Sequence, residues 1–394
     1  MDVKRIRADF PILNEVTYMD SASTSLTPEP VLKVVLSYYR EFNANVGRGV
    51  HRLSQVASQK YEEVRKKVAA FIGAKETEII FTKNATEAIN IVASGLRWKR
   101  GDRIVTTSLE HHSNFLPWMR LRGAGVKVEV VRPRNGVLHA EDFESVVDKR
   151  TKLVALTHAS NVLGTLSPVE EIARICEERG ALLLIDGSQS APHMPMDIRK
   201  LGCDFLAFSG HKMLGPKGTG VLFMREQLLD EVEPLLVGGG IVEEVSLNDF
   251  RLVKGCAKFE AGTPNVAGVI GLESAVSYLR AVGMEKIRRH EARLTEKILD
   301  GLSSIEGVEV YASAVPREQR IGVVSFNVKD LNPHDVALIL SEANIMVRSG
   351  HHCCMPLMKE LGVDGTVRAS LYLYNTEEEV ESFLEVVEGI ARSF

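Results

Sequence analysis

The chain has few cysteines for its size: five among 394 residues, at Cys176, Cys203, Cys256, Cys353 and Cys354, which do not make a disulfide framework. It also lacks any uninterrupted apolar run that approaches a membrane span, and its first ten residues lack the apolar core of a signal peptide. Neither sign of charge dominates. With 48 Lys and Arg against 52 Asp and Glu the formal net charge is -4, which gives no electrostatic footprint for nucleic acid or an anionic membrane. Internal repeats and low-complexity segments are missing too. The expectation is a cytoplasmic globular protein with no nucleic-acid or membrane partner. A hydrophobic content of 45% over this length can bury a large core and suits two or three domains.

What is present is an alternation of strand and helix signals between residues 78 and 225. Ala57, Tyr61, Val64, Val68 and Phe71 follow helical spacing up to Gly73, a C-cap glycine by position. Glu78–Thr82 then reads as a strand, and a helix opens on Asn84 or Thr86. Such a strand, turn and helix N-terminus is a natural anion site; it is equally an ordinary capped helix. Strands ending near His111 and Asn161 repeat the pattern. Pro168 to Gly180 reads as a helix with Pro near its start and Gly at its end. The alternation implies a mostly parallel sheet covered on both faces, with a site at the carboxyl ends of its strands. Thr86, His111, Asn161, Asp186 and Lys212 all fall at such ends.

Two of these residues form a chemical pair. Ala181–Asp186 is a continuous apolar run ending in a carboxylate. Asp204–Gly220 is a second run that ends in Ser209-Gly-His-Lys212 and then a Gly- and Pro-rich loop. An aspartate able to face a pyridinium nitrogen and a lysine able to form a Schiff base are the two protein groups that pyridoxal phosphate chemistry needs. Taken singly, each residue also reads as a turn aspartate or a solvated loop lysine.

After Gly238-Gly-Gly240 the pattern changes to that of a smaller α+β unit. Two long amphipathic helices are predicted over about 266–282 and 284–303. Strands follow at Gly307–Tyr311, Ile321–Val328 and Thr366–Tyr374, and a final helix has Thr376 and Glu379 in a capping-box pattern. Between the strands lies His351-His-Cys-Cys354. It admits a metal-site reading that lacks further ligands, a structural turn with buried thiols, or a nucleophile favoured by Arg348, two histidines and a glycine hinge.

Nine segments in one order then resemble the cysteine desulfurases, the class V branch of pyridoxal phosphate enzymes, of the group II type related to selenocysteine lyases. They are Tyr18-Met-Asp-Ser-Ala-Ser, Thr86-Glu-Ala-Ile-Asn, Glu110-His-His-Ser-Asn, Ser160-Asn-Val-Leu-Gly, Asp186-Gly-Ser-Gln, Ser209-Gly-His-Lys, Phe259-Glu-Ala-Gly-Thr-Pro-Asn, Arg348-Ser-Gly-His-His-Cys and Arg368-Ala-Ser. The resemblance implies an α/β, fold type I transferase whose large domain, residues 16–282, holds a mostly parallel seven-stranded sheet. Residues 1–15 and 283–394 would form a smaller α+β domain carrying the cysteine loop.

It further implies that Lys212 holds pyridoxal 5'-phosphate as a Schiff base and Asp186 pairs with the pyridine nitrogen. Gln189 would bond the phenolic oxygen and His111 stack on the ring. Thr86, Ser209 and His211 would hold the phosphate, with Thr263 reaching in from the partner of a homodimer. Asn161 and Arg368 would bind the carboxylate of L-cysteine, and Cys353 would accept its sulfur for iron–sulfur cluster or other sulfur-compound synthesis, through an acceptor or scaffold protein. No metal is implied. Cys354, where relatives usually have alanine, is expected to be able to share, capture or oxidise a persulfide, and Gly47 before Arg48 departs from relatives with histidine there. A selenocysteine lyase, a class V aminotransferase and a non-catalytic scaffold are the rival readings.

Overall fold

The computed structural model describes residues 1–393. The apolar runs of the first half form seven strands of one sheet: β1 (Ile79–Thr82), β2 (Arg103–Thr107), β3 (Lys127–Val131), β4 (Thr151–Thr157), β5 (Leu182–Asp186), β6 (Phe205–Ser209) and β7 (Gly220–Met224). They lie in the order β1-β7-β6-β5-β4-β2-β3. All point the same way except β7, which is antiparallel to both neighbours. Leu183, Leu184 and Ile185 of β5 and Phe205, Leu206 and Ala207 of β6 are completely buried, as strands covered on both faces must be. Each such Leu or Ile contributes roughly 1.5–3 kcal/mol through burial.

Helices pack over this sheet with legible punctuation. Helix α1 (Arg52–Ile72) stops at Gly73, whose φ of 75° is left-handed. Helix α2 (Ala85–Gly95) starts at Asn84, whose side chain accepts the Glu87 N–H, and α3 (Val169–Arg179) runs from Pro168 to a left-handed Gly180. Helix α4 (Val266–Val282) and helix α5 (Met284–Ser304) follow, with a 74° bend at Gly283.

Here the structure corrects one expectation in part: the first two turns of α4 are not amphipathic. Val266 through Leu272 are all buried, because α4 is sandwiched against α1 and the helix Glu29–Glu41. A Cβ on Gly271 would stand 2.6 Å from the side chains of Pro216 and Val35, so the close approach requires glycine. Among the described residues no single helix is long and apolar enough to cross a membrane.

The C-terminal part builds its own antiparallel sheet from β8 (Val308–Val310), β9 (Val323–Val328), β10 (Arg348–Gly350) and β11 (Thr366–Ser370), in the order β8-β9-β11-β10. Helices α5, α6 (Pro333–Glu342) and α7 (Glu377–Ser393) cover it through Leu294, Ile298, Val336, Leu340, Phe383 and Val387. The capping box of α7 forms: Glu379 N–H donates to Thr376 Oγ1 at 3.2 Å and Thr376 N–H to Glu379 Oε2 at 3.1 Å. Near the N-terminus, Thr17 and Tyr18 pair with Ile345 and Met346, and Asp20 bridges to Ser370. That pairing carries Asp20 to the end of β11.

Candidate active site

A cleft of about 450 Å3 opens at the carboxyl ends of the large sheet and is closed from the other side by β10, the cysteine loop and Arg368. Asp186 reaches it because it is the last residue of the buried strand β5. Its Oδ1 accepts the Ser188 N–H at 2.9 Å and its side chain is nearly inaccessible. Strand β6 ends at Ser209, and a single helical turn then delivers His211 and Lys212. Ser25, far upstream in the chain, pins that turn twice: its N–H donates to His211 O at 2.9 Å, and Leu214, left-handed with a φ of 67°, donates its N–H to Ser25 Oγ at 2.8 Å.

Opposite this turn is the N-terminus of α2. Ala85 N–H donates to Ser209 Oγ at 2.9 Å, which joins the two candidate phosphate-holding segments. A Cβ on Gly220 would lie 2.6 Å from the Asn84 Cα, so β7 must present glycine for the helix to seat here. Thr86 Oγ1 meets Ser113 Oγ at 2.7 Å, and Ser113 Oγ meets His111 Nδ1 at 2.9 Å. Ser113 is therefore the link between the helix start and the ring-stacking candidate. The Ser113 N–H also donates to His111 Nδ1 at 3.1 Å, leaving the imidazole proton on Nε2.

Burial dominates the electrostatics. It pulls the Lys212 amine below its ordinary value, an effect that the Asp186 carboxylate opposes and Arg368 reinforces. Burial, with Lys212 and His112 as lesser causes, brings His111 down to about 3, and His211 falls to about 4 for the same first reason. Both rings are neutral near pH 7. Beneath them Glu110 is fully buried and pushed up to about 8 by burial, although Thr107 Oγ1 (2.6 Å), Thr157 N–H (3.0 Å) and Asn114 Nδ2 (2.6 Å) all donate to it.

Arg368, in β11, is almost completely buried. It donates to Asn161 O at 2.9 Å, to Asp20 Oδ1 at 3.1 Å and to Ser23 Oγ at 2.6 Å, while its Nε has no partner among the described residues. Asn161 Nδ2 in turn donates to His352 O at 2.9 Å. Cys353 is exposed, lines the cleft and has a left-handed φ of 55°.

Cys354 does not share that space, which corrects the expectation of a thiol able to take up a persulfide. It is buried with Sγ 3.3–3.4 Å from the carbonyls of Glu110 and Leu109, and burial pushes its thiol far up. In this loop one thiol is exposed and its neighbour is buried. Among the described residues there is no His, Cys, Asp and Glu cluster able to hold a metal.

Thr86, His111, Asn161, Asp186, Ser209, His211, Lys212, Cys353 and Arg368 thus share one cleft. Gln189 lies behind its wall, where Nε2 donates to Ala22 O at 2.8 Å and Oε1 is buried without a partner. Thr263 is elsewhere in the chain, in a second pocket with Gly47, Arg48 and His51. Asp20, Ser23, Ser113 and Glu110 were not singled out from sequence, although the stretches 18–23 and 110–114 contain them. Their roles depend on contacts across long separations.

The cleft fits pyridoxal 5'-phosphate. A helix N-terminus lined with hydroxyls, and an aspartate and lysine that converge from adjacent strands, match its phosphate, nitrogen and carbonyl groups. Fold and site define a pyridoxal phosphate-dependent α/β enzyme. The family model for class-V aminotransferases matches residues 17–383, and the chain belongs to that family. It is 49% identical to a protein of Pyrococcus abyssi named probable cysteine desulfurase, over 98% of this chain and 97% of that one. Its fold matches the apo structure of a cysteine desulfurase from Thermococcus onnurineus with a TM-score of 0.96 and 49% identity, over 99% and 98% of the two chains. For an Escherichia coli cysteine desulfurase solved as its S-sulfonic acid, the TM-score is 0.93 at 33% identity, over 100% and 99%.

Proposed function

We propose that this enzyme is a cysteine desulfurase that converts L-cysteine to L-alanine and takes the sulfur onto Cys353. The observation that carries the proposal is the placement of one exposed thiol, Cys353, on the wall of the cleft that holds Lys212 and Asp186. The balance is internal: the substrate C–S bond breaks, an S–S bond forms to Cys353, and alanine leaves with the proton that replaces sulfur at its β-carbon.

Bound pyridoxal phosphate supplies an electron sink for the negative charge left at the substrate Cα. Thr86, Ser209 and His211 would hold its phosphate, Asp186 its ring nitrogen, Gln189 its phenolic oxygen and Lys212 its carbonyl carbon. His111 would stack on the ring as a neutral imidazole. Thr263 would complete the phosphate site from a second copy of the chain, which makes the homodimer the functional unit.

The remaining work falls to side chains. Arg368 and the Asn161 amide would bind the substrate carboxylate. Lys212, its amine lowered by burial, would take the Cα proton as a neutral base. Cys353 would attack the substrate sulfur and then pass it to an acceptor protein. We read residues 16–282 as the unit that holds the cofactor and residues 1–15 with 283–394 as the unit that presents the thiol. A cytoplasmic location belongs to the same reading.

The test is an absorption spectrum of the cofactor-loaded protein before and after L-cysteine, with alanine quantified and the persulfide mapped by mass spectrometry. A spectral change, alanine and a persulfide on Cys353 are expected, and Cys353→Ser should bind cysteine yet form neither product. Undiminished alanine from Cys353→Ser would refute the role of the thiol and favour a lyase. A new amino acid formed from an added α-keto acid would favour an aminotransferase.

A further inference from the structure

The cysteine loop is held in a costly conformation. Gly350 has a φ of 108°, and His352 and Cys353 follow at 49° and 55°. The two non-glycine residues each cost about 1–2 kcal/mol in the left-handed region, so the loop requires contacts that hold it.

His112 makes two of these contacts, at the carbonyl of the nucleophile and two residues beyond it. Its backbone N–H donates to Cys353 O at 2.7 Å, and its Nε2 accepts the Met355 N–H at 3.3 Å. Met355 opens the helix Met355–Leu361, and its N–H is one of the donors that a helix start leaves unpaired. The ring of His112 also lies 5.7 Å from that of His351, inclined at 32°, and His351 Nδ1 accepts the Cys353 N–H at 3.0 Å. His112 is not on the wall of the cleft. Burial and then His351 lower its pKa, which keeps Nε2 available as an acceptor.

We infer that His112 is a positioning residue for sulfur transfer: by accepting the Met355 N–H while its own N–H holds Cys353 O, it fixes the backbone that aims the Cys353 thiol into the cleft. The inference rests on the desulfurase reading and adds to it a residue that touches neither substrate nor cofactor. The side-chain contribution is separable from the backbone bond, which every substitution at 112 keeps.

The experiment uses the cofactor-loaded enzyme with His112→Phe, which keeps a ring but has no acceptor, and His112→Gln, whose amide oxygen can reach the Met355 N–H. Three quantities are read: amide hydrogen exchange over residues 351–356, the single-turnover rate of persulfide formation on Cys353, and the L-cysteine concentration that half-saturates the cofactor's spectral change. His112→Phe should exchange faster in the loop and form persulfide about five- to tenfold more slowly, the effect of one lost hydrogen bond, with half-saturation unchanged. His112→Gln should lie within about twofold of the parent on all three, since it restores that bond.

Equal rates for His112→Phe and the parent would overturn the inference. So would a glutamine variant no better than phenylalanine, or a half-saturation that moves as far as the rate. If His112→Phe does not accumulate as folded enzyme, His112→Asn, whose shorter amide falls short of Met355, takes its place with the same expectations. Absence of persulfide on Cys353 in the parent enzyme would refute the desulfurase reading itself, and the inference with it.

Discussion

Glu260 stands three residues before Thr263, and its substitution should loosen the packing of that loop against the sheet. Its carboxylate, 11% exposed, receives both arms of the Arg65 guanidinium at 2.7 and 3.1 Å; the Arg65 side chain is 7% exposed. The same carboxylate accepts the Phe81 N–H at 2.7 Å and the Tyr61 hydroxyl at 3.0 Å. Glu260→Ala therefore leaves a buried cation, a buried amide and a buried hydroxyl without their shared acceptor. Breaking a buried ion pair costs about 3–5 kcal/mol. Arg65 keeps bonds to Ile79 O at 2.7 Å and to Glu62 at 2.9 Å, which limits the damage to its own charge. The strand amide adds about 1 kcal/mol or more, so a loss of about 4 kcal/mol is expected overall.

Urea unfolding followed by circular dichroism measures this loss, and a double-mutant cycle assigns it. Replacing Arg65 with Met in the Glu260→Ala background removes the stranded charge. The double variant should be more stable than the sum of the single losses by about 2 kcal/mol, the coupling expected of residues in one buried network. A loss under about 1 kcal/mol for Glu260→Ala, or strict additivity, would show that the four-way contact does not hold the loop.

Arg368→Lys should raise the half-saturating concentration of L-cysteine by about a hundredfold, because a forked donor to a carboxylate is replaced by a point charge; an unchanged value in a spectral titration would remove Arg368 from substrate binding. Cys354→Ala should leave the yield of persulfide on Cys353 unaltered and cost about 1 kcal/mol in an unfolding titration, the loss of one buried group of methylene size. Persulfide mapped to Cys354 in the parent protein would contradict its burial. Glu110 supplies a pH dependence of stability. Its folded-state value of about 8 lies above the ordinary 4.5, so across that window the folded protein keeps a proton that the unfolded chain has released. The stabilisation is complete below 4.5 and is lost as pH rises through 8, with a slope of up to about 1.4 kcal/mol per pH unit. Glu110→Gln should remove that slope from denaturation midpoints measured between pH 5 and 8, and an unchanged slope would mean that Glu110 is not its source.

Much of this architecture was legible in order along the chain, because local signals and tertiary demands agree. Gly73 and Gly180 end helices for the reason their positions suggest: both adopt left-handed backbone that glycine takes at little cost. Lys212 and Asp186 were readable because a buried strand must run apolar until it reaches the sheet edge, where a polar side chain marks the site. Helix α4 misled, since its apolar residues do not fall on one stripe. Only its place between two other helices accounts for burial on every side of its first seven residues.

The sequence by itself determined the strand and helix alternation, the lysine and aspartate pair, and the nucleophile candidate, since each lies within a contiguous stretch whose periodicity or composition carries it. Tertiary structure alone decided what lies between segments far apart in the chain. It put Asp20 on Arg368 across 348 residues, Ser113 between Thr86 and His111, and His112 on Cys353 O and the Met355 N–H. It also turned one of two adjacent thiols outward and buried the other. The 353–354 dipeptide carries no signal for that choice, because the side-chain directions follow from a left-handed backbone held by partners from distant strands.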